Sequence, residues 1–99
     1  MDIFKITDKT GRKIRLTNKQ WKHIQEHPHM HESLEKIKEV IKNPLTIRKG
    51  EFDNKVNYFY KEYKEMSPKE RYLFISVKYL NGDGFVITAF YTNKITGLK

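Results

Sequence analysis

Cysteine is absent from this sequence, and the absence narrows the chemistry that the protein is able to perform. None of the 99 residues is a cysteine, which excludes disulfides, thiolate nucleophiles and zinc–thiolate sites and leaves histidine as the expected base if there is catalysis. Long apolar runs are also missing, and a membrane-spanning helix or a secretory signal needs such a run. We therefore expect a soluble protein with no membrane partner, in a cytoplasmic location.

Acidic residues are scarce relative to basic ones. Twenty Lys and Arg stand against 12 Asp and Glu, which gives a formal net charge of +8. Such an excess on a small protein creates a positive field that attracts polyanions, so RNA is the first partner to expect. The alternative is a lysine-rich solvated surface with no role in nucleic-acid binding.

The length and composition predict one domain. Ninety-nine residues, of which 37% are hydrophobic, suffice for a single small core. With only three prolines and five glycines, we find no linker, repeat or low-complexity segment. Residues 1–99 are therefore expected to form one domain.

The first half of the chain predicts a hairpin followed by two helices. Residues 3–16 alternate around a turn and predict two short strands. Thr17 is a typical N-cap, and the helix that it begins is predicted over residues 18–27 because Pro28 ends it. Apolar residues at helical spacing predict a second helix over residues 32–43.

The second half predicts a sheet. Four strand patterns follow one another, at residues 45–48, 56–63, 71–80 and 85–91. Asn81 and Gly82 predict a tight turn between the last two strands, since Asn-Gly tolerates positive φ at both turn positions. The predicted fold is α+β, with an N-terminal β-hairpin and two helices packed on one face of a four-stranded antiparallel sheet.

Alternation along the strands assigns side chains to two sheet faces. The set predicted to face the helices is Leu73, Ile75, Val77 and Tyr79 with Phe85, Ile87 and Ala89. The opposite, open face is predicted to carry Arg48, Ser76, Lys78, Thr88 and some of Tyr58, Tyr60 and Tyr63, with Val86 and Phe90 on the Thr88 side. Cations, hydroxyls and rings of this kind hold phosphates and stack on bases.

Residues 21–31 gather all four histidines and the only tryptophan. Four residues apart, His23 and His27 share one strip of a helix, which makes them candidates for proton transfer or metal binding. The alternative is that both are ordinary surface residues. Because His29 and His31 follow the proline, we expect them in a loop with a solvated or capping role.

The order of several short motifs resembles a known family. These are WKHIQEHP at residues 21–28, I-x-x-x-I-x-x-P at 37–44, Y-x-Y at 58–60, YLFISVK at 72–78 and FVITAF at 85–90. Together they resemble the phage-associated branch of the barnase/EndoU/colicin/RelE-like nuclease superfamily over nearly the whole chain. The resemblance implies a RelE/barnase-like fold and a metal-independent ribonuclease, of a kind often found in toxins or mobile-element effectors. A neutralising antitoxin or immunity protein is then a further expected partner, and no cofactor is expected.

The resemblance implies catalytic positions at His23, His27, Lys78 and Thr88. In RNA cleavage one imidazole takes the proton of the ribose 2′-OH and an acid protonates the leaving oxygen, while cations hold the phosphate. We expect His27 as base or acid and His23 as its partner, with Thr88 as a hydroxyl donor. The residues expected to contact nucleic acid are Arg48 and Lys78 as phosphate clamps, Tyr58 and Tyr60 as stacking platforms or an acid, and Ser76.

Two other functions remain open at this point. The first is a non-catalytic RNA-binding or protein-interaction module on the same fold. The second is a zinc-dependent hydrolase, because the spacing H-x-x-E-H from His23 through Glu26 to His27 matches the inverted zincin pattern. No further zinc ligand is evident in the sequence, so we expect no metal.

Overall fold

A six-stranded sheet organises the chain in the computed structural model, which describes residues 2–98. Its strands are β1 (Asp2–Thr7), β2 (Lys13–Thr17), β3 (Thr46–Lys49), β4 (Val56–Glu62), β5 (Tyr72–Leu80) and β6 (Asp83–Thr92). The helices are α1 (Asn18–Ile24) and α2 (Leu34–Lys42), and short 3-10 turns lie at Met30–Glu32 and Pro68–Glu70. The strand order across the sheet is β1-β2-β6-β5-β4-β3.

The α+β class is confirmed, but the predicted four-stranded antiparallel sheet is wrong. The N-terminal hairpin joins the sheet, because β2 pairs in parallel with β6 at Ile14 opposite Gly84 and Arg15 opposite Phe85. Gly84 makes this junction possible, since a Cβ there would lie 2.7 Å from Ile14 Cδ1. The sheet is therefore six-stranded and mixed, although β3 to β6 form the predicted antiparallel order.

The helices begin and end close to the predicted residues. Thr17 caps α1 as predicted, because its Oγ1 accepts a hydrogen bond from the Gln20 N–H at 3.2 Å. This helix ends at Ile24 instead of residue 27, since the Glu26 and His27 N–H groups bond three residues back, in a tighter turn that leads into the proline. The 3-10 turn at Met30–Glu32 similarly delays the start of α2 to Leu34.

The core lies between the helices and one face of the sheet. Fully buried apolar side chains from α1 and α2 pack there against β4, β5 and β6; they include Ile24, Ile37, Val40, Ile41, Phe59, Leu73, Ile75, Val77 and Ala89. Tyr63 also belongs to this side, where its hydroxyl donates to Glu39 of α2, so of the three tyrosines considered for the opposite face only Tyr58 and Tyr60 lie on it.

A β-bulge in β6 changes which residues share a face. Val77 lies opposite Val86 while the adjacent Ser76 lies opposite Thr88, which leaves Ile87 as the extra residue. Alternation reverses at that point, so Val86 is buried in the core with Ala89. The assignment of Phe85 to the helix side and of Val86 to the opposite side is therefore wrong.

The sheet face turned away from the helices is called the open face from here on. It carries Arg15, Arg48, Tyr58, Tyr60, Phe74, Ser76, Lys78, Phe85, Thr88 and Phe90. The C-terminal segment, residues 93–98, crosses one part of it. Leu98 then exchanges two backbone hydrogen bonds with Lys49 at the free edge of β3, at 2.7 and 2.8 Å.

Candidate functional site

Helix α1 lies along the edge of β6 that β2 leaves unpaired. The parallel pairing of β2 covers only Gly84 and Phe85. Beyond them, the side-chain amide of Gln20 donates a hydrogen bond to the backbone oxygen of Ile87. A helix at a sheet edge borders both faces, and the buried Ile24 of α1 packs into the core. The histidines four residues apart are thereby brought to the border of the open face.

His27 and His23 form a pair of imidazoles beside Phe90. The ring centroid of His27 lies 5.4 Å from that of Phe90 and 6.3 Å from that of His23, and the two histidine rings are nearly perpendicular. His27 is half-buried, whereas the His23 side chain is 58% exposed. A shallow cavity of about 230 Å³ adjoins the pair, lined in part by His27 and Phe90. Both imidazoles therefore lie at a surface that a ligand is able to reach.

Aromatic rings continue from His27 across the open face. The ring centroids of Phe90 and Phe74 lie 4.7 Å apart, and the centroid of Phe74 lies 5.3 Å from that of Tyr60 and 5.0 Å from that of Tyr58. Tyr60 is only 1% exposed, because Thr96 of the C-terminal segment lies over it and bonds to its hydroxyl at 3.0 and 3.1 Å. Tyr58 stays half-buried, so it offers more of its ring to solvent than Tyr60 does.

The other predicted site residues are spread over the open face. Thr88 lies two residues before Phe90 on the same face, opposite the buried Ser76. Arg48 lies opposite Tyr58 on the edge strand β3. The structure therefore brings His23 and His27 together, whereas Thr88 and Arg48 lie elsewhere on the open face.

Lys78 lies at the far end of β5 from the histidines. It is four residues from Phe74, roughly 13 Å along the strand. Its Nζ is 3.0 Å from Asp53 Oδ2. The backbone N–H of Lys55, followed by Lys78, holds the pKa of the Asp53 carboxyl below its usual range. In this structure the Lys78 ammonium is therefore paired with a carboxylate and does not join the imidazole pair.

The remaining histidines lie outside this pair. His29 has a φ of 65° and its Nε2 is 3.4 Å from Glu70 Oε2, while His31 Nε2 is 3.2 Å from Glu32 Oε1. Both residues lie in the loop and 3-10 turn between the helices. Across residues 2–98, no three His, Asp or Glu side chains are arranged to hold a metal ion.

Sequence reasoning missed a second cavity on the α1 side of the sheet. It has a volume of about 300 Å³ and is lined by Arg15, Gln20, Asp83 and Phe85, among others. The position of Arg15 between the buried residues Ile14 and Leu16 already indicated a side chain that points away from the core. Its neighbour across the sheet, Phe85, was not predictable from local patterns, because the parallel pairing joins residues 70 positions apart (85 − 15).

The fold and the site define a small, basic α+β protein with an imidazole pair beside an aromatic sheet face. This arrangement is compatible with the general fold of small α+β nucleases. Residues 4–99 match the family described as phage-Barnase-EndoU-ColicinE5/D-RelE like nuclease2, and the chain belongs to this family of nucleases. Searches of curated proteins and of solved structures gave no match. In the described part of the chain, no helix has the length and apolar character to cross a membrane.

Proposed function

We propose that this protein is a metal-independent RNA endonuclease in which His27 and His23 perform general acid–base catalysis. The observation that carries the proposal is the imidazole pair, with centroids 6.3 Å apart, at the accessible border of an aromatic face on a protein of net charge +8. Membership of a nuclease family supports a nucleic-acid substrate. Two neighbouring imidazoles supply both proton transfers that RNA cleavage needs, so the mechanism requires no metal ion.

The proposed reaction is an internal transfer of the phosphodiester. A neutral imidazole takes the proton of the ribose 2′-OH, and the 2′-oxygen bonds to phosphorus. The bond from phosphorus to the 5′-oxygen breaks, and the second, protonated imidazole gives its proton to that oxygen. The products are a 2′,3′-cyclic phosphate and a 5′-hydroxyl. The attacking group is the 2′-OH, so the proposed enzyme acts on RNA and not on DNA.

The other site residues have supporting roles in this proposal. Thr88 donates its hydroxyl to the phosphate, because it is the predicted polar residue of β6 that shares a face with Phe90. Tyr58 stacks on a base, whereas the covered Tyr60 and the buried Ser76 support the face from below. Arg48 and Lys78 contact phosphates farther along the strand, and Lys78 exchanges Asp53 for a phosphate when RNA binds.

We further propose a toxin or mobile-element effector that works in the cytoplasm and is neutralised by an antitoxin or immunity protein. A nuclease that cuts RNA of its own cell needs such a partner. The family's phage association supports this context.

A non-catalytic RNA-binding module is the second candidate function. The observations that favour it are the covering of Tyr60 by Thr96 and the pairing of Lys78 with Asp53, which separate the polar residues from the imidazoles. The same aromatic and basic face binds RNA in both cases, so the two functions differ only in turnover.

Replacement of His27 by alanine separates the two functions. We expect His27→Ala to lower the rate of RNA cleavage in excess chelator by about 100-fold or more, the usual contribution of a general acid or base, and to leave RNA binding in place. His31→Ala is the matched control, because that exposed histidine lies outside the pair. Gel electrophoresis with mapping of the fragment ends measures cleavage. RNA bound but left intact by the parent protein contradicts the enzyme and supports the module.

A further inference from the structure

The cavity at the junction of β2 and β6 has the dimensions and lining of a small ligand site. Its volume of about 300 Å³ reaches the lower end of the range for ligand pockets, whereas the cavity beside His27 is smaller, at about 230 Å³. Four chemically different groups meet around it: the Arg15 guanidinium, the Phe85 ring, the Asp83 carboxylate and the Gln20 amide. Of these four residues, only Gln20 also helps to hold α1 against β6 beside the imidazole pair.

The lining specifies the chemistry of the ligand. Among residues 2–98, Arg15 forms no salt bridge, and its side chain is exposed. An unpaired guanidinium at a surface binds phosphate oxygens. Phe85 lies next to Arg15 across the parallel pairing and presents a half-buried ring on the same face. A ring of this kind stacks on a nucleobase.

The carboxylate of Asp83 excludes a purely anionic ligand. A phosphate placed beside it is repelled, whereas the N–H groups of a base edge donate hydrogen bonds to it. The Gln20 side chain adds a fixed carbonyl acceptor, because its amide nitrogen is already bonded to the Ile87 oxygen. A cation, an aromatic ring and two acceptors together match a nucleotide, which is anionic at one end and carries donors at the other.

Helix α1 and strand β6 connect this cavity to the imidazole pair. Gln20 lines the cavity and contacts β6 at Ile87, while His27, seven residues later, contacts β6 at Phe90. Thr88 lies between them on the same face. The separation of Phe85 and Phe90 is roughly 15 Å along the strand, a distance that takes more than one nucleotide step of an extended strand to span.

We propose that this cavity is a nucleotide subsite, in which a nucleotide a few positions along the strand from the scissile phosphate stacks its base on Phe85 and places its phosphate on Arg15. The inference rests on the proposed function, because the subsite and the imidazole pair together define a path for the RNA strand along α1 and β6. It also makes Arg15 a substrate-binding residue.

Steady-state kinetics on an RNA oligonucleotide tests the subsite. Arg15→Gln is expected to raise KM about tenfold while kcat stays within about twofold, because Arg15 contacts the substrate at a point remote from the reacting atoms. Phe85→Leu is expected to act in the same direction. Lys13→Gln is the matched control, because it removes one positive charge from the same strand outside the cavity. An equal effect of Arg15→Gln and Lys13→Gln overturns the proposal.

An NMR titration of the parent protein keeps the test independent of turnover and of the folding of any variant. The four nucleoside 5′-monophosphates are added in turn, and inorganic phosphate at the same concentrations is the control. Amide signals of Arg15, Gly84 and Phe85 are expected to shift with at least one nucleotide and much less with phosphate. Equal shifts with phosphate, or shifts only elsewhere, overturn the subsite. If the protein cleaves no RNA but shows these nucleotide shifts, the proposed function fails and the subsite stands.

Discussion

Asp8 and Tyr79 form a buried polar contact between the β1–β2 turn and β5. Asp8 is a buried residue, 5% exposed, and its carboxylate accepts four hydrogen bonds. The donors are the Thr10 N–H and hydroxyl, the Arg12 N–H and, at 2.6 Å, the Tyr79 hydroxyl. Three of these bonds shape the turn between β1 and β2, and the fourth ties that turn to β5. The burial of Tyr79 and its bond to Asp8 raise the pKa of the phenol above its usual range.

We expect Tyr79→Phe to lower the free energy of unfolding by about 1–3 kcal/mol, because a buried carboxylate loses one of its donors. The raised phenol pKa also makes the free energy of unfolding of the parent protein depend on pH. The stabilisation that Tyr79 contributes is fully present below the phenol pKa of the unfolded chain, about 10, and is lost as the pH rises above that value. Urea unfolding followed by the fluorescence of Trp21 therefore shows a smaller loss of stability between pH 9 and 11 in the variant than in the parent. Identical pH dependence in both proteins contradicts this.

Individual residues were predictable where local patterns determine them. Thr17 as a cap, Asn81-Gly82 as a turn and the buried residues of α2 follow from neighbours within a few positions. The contact of His27 with Phe90 joins residues 63 positions apart (90 − 27), and the sequence pattern contains no local signal for it. The prediction therefore identified the two histidines but not the surface that they border.

At the scale of elements, the pairing of β2 with β6 is what differs most from the prediction. Both strands were predicted, but the hairpin that contains β2 was expected to pack on one face of the sheet and not to pair within it. The sequence pattern at Gly84 gives no indication of this pairing, although its lack of a Cβ gives Ile14 the room to pack against β6. The bulge at Ile87 is a second feature of this kind, because a single extra residue reverses the alternation from which faces are assigned.

Gly84→Ala is expected to destabilise the protein by about 1–3 kcal/mol, because the new Cβ overpacks the junction. Ile14→Val removes the Cδ1 atom that lies 2.7 Å from that position, at a cost of about 0.5–1.5 kcal/mol by itself. The double variant is expected to lose less stability than the sum of the two single changes, since the shortened side chain makes room for the methyl group. Strictly additive losses in urea unfolding contradict this role of Gly84.

At the scale of the whole molecule, the sheet separates stability from proposed function. One face packs on the helices around the core, and the other carries the rings and cations, with α1 at the border where the imidazole pair stands. The composition alone indicated a basic single domain with a nucleic-acid partner. The order of elements indicated the α+β class, and the order of short sequence motifs indicated the family. The position of the C-terminal segment over Tyr60 depends on contacts that only the folded chain creates.

The 2′-OH requirement tests the central claim most directly. The purified protein is incubated at low salt and in excess chelator with an RNA strand and, in parallel, with a 2′-deoxy strand of the same sequence. Low salt is chosen because the binding of a basic protein to a single strand weakens as salt increases. We predict that only the RNA is cut, with cyclic phosphate or 3′-phosphate ends. Equal cleavage of both strands, or RNA cleavage that appears only when a divalent metal is added back, contradicts metal-independent attack by the 2′-OH.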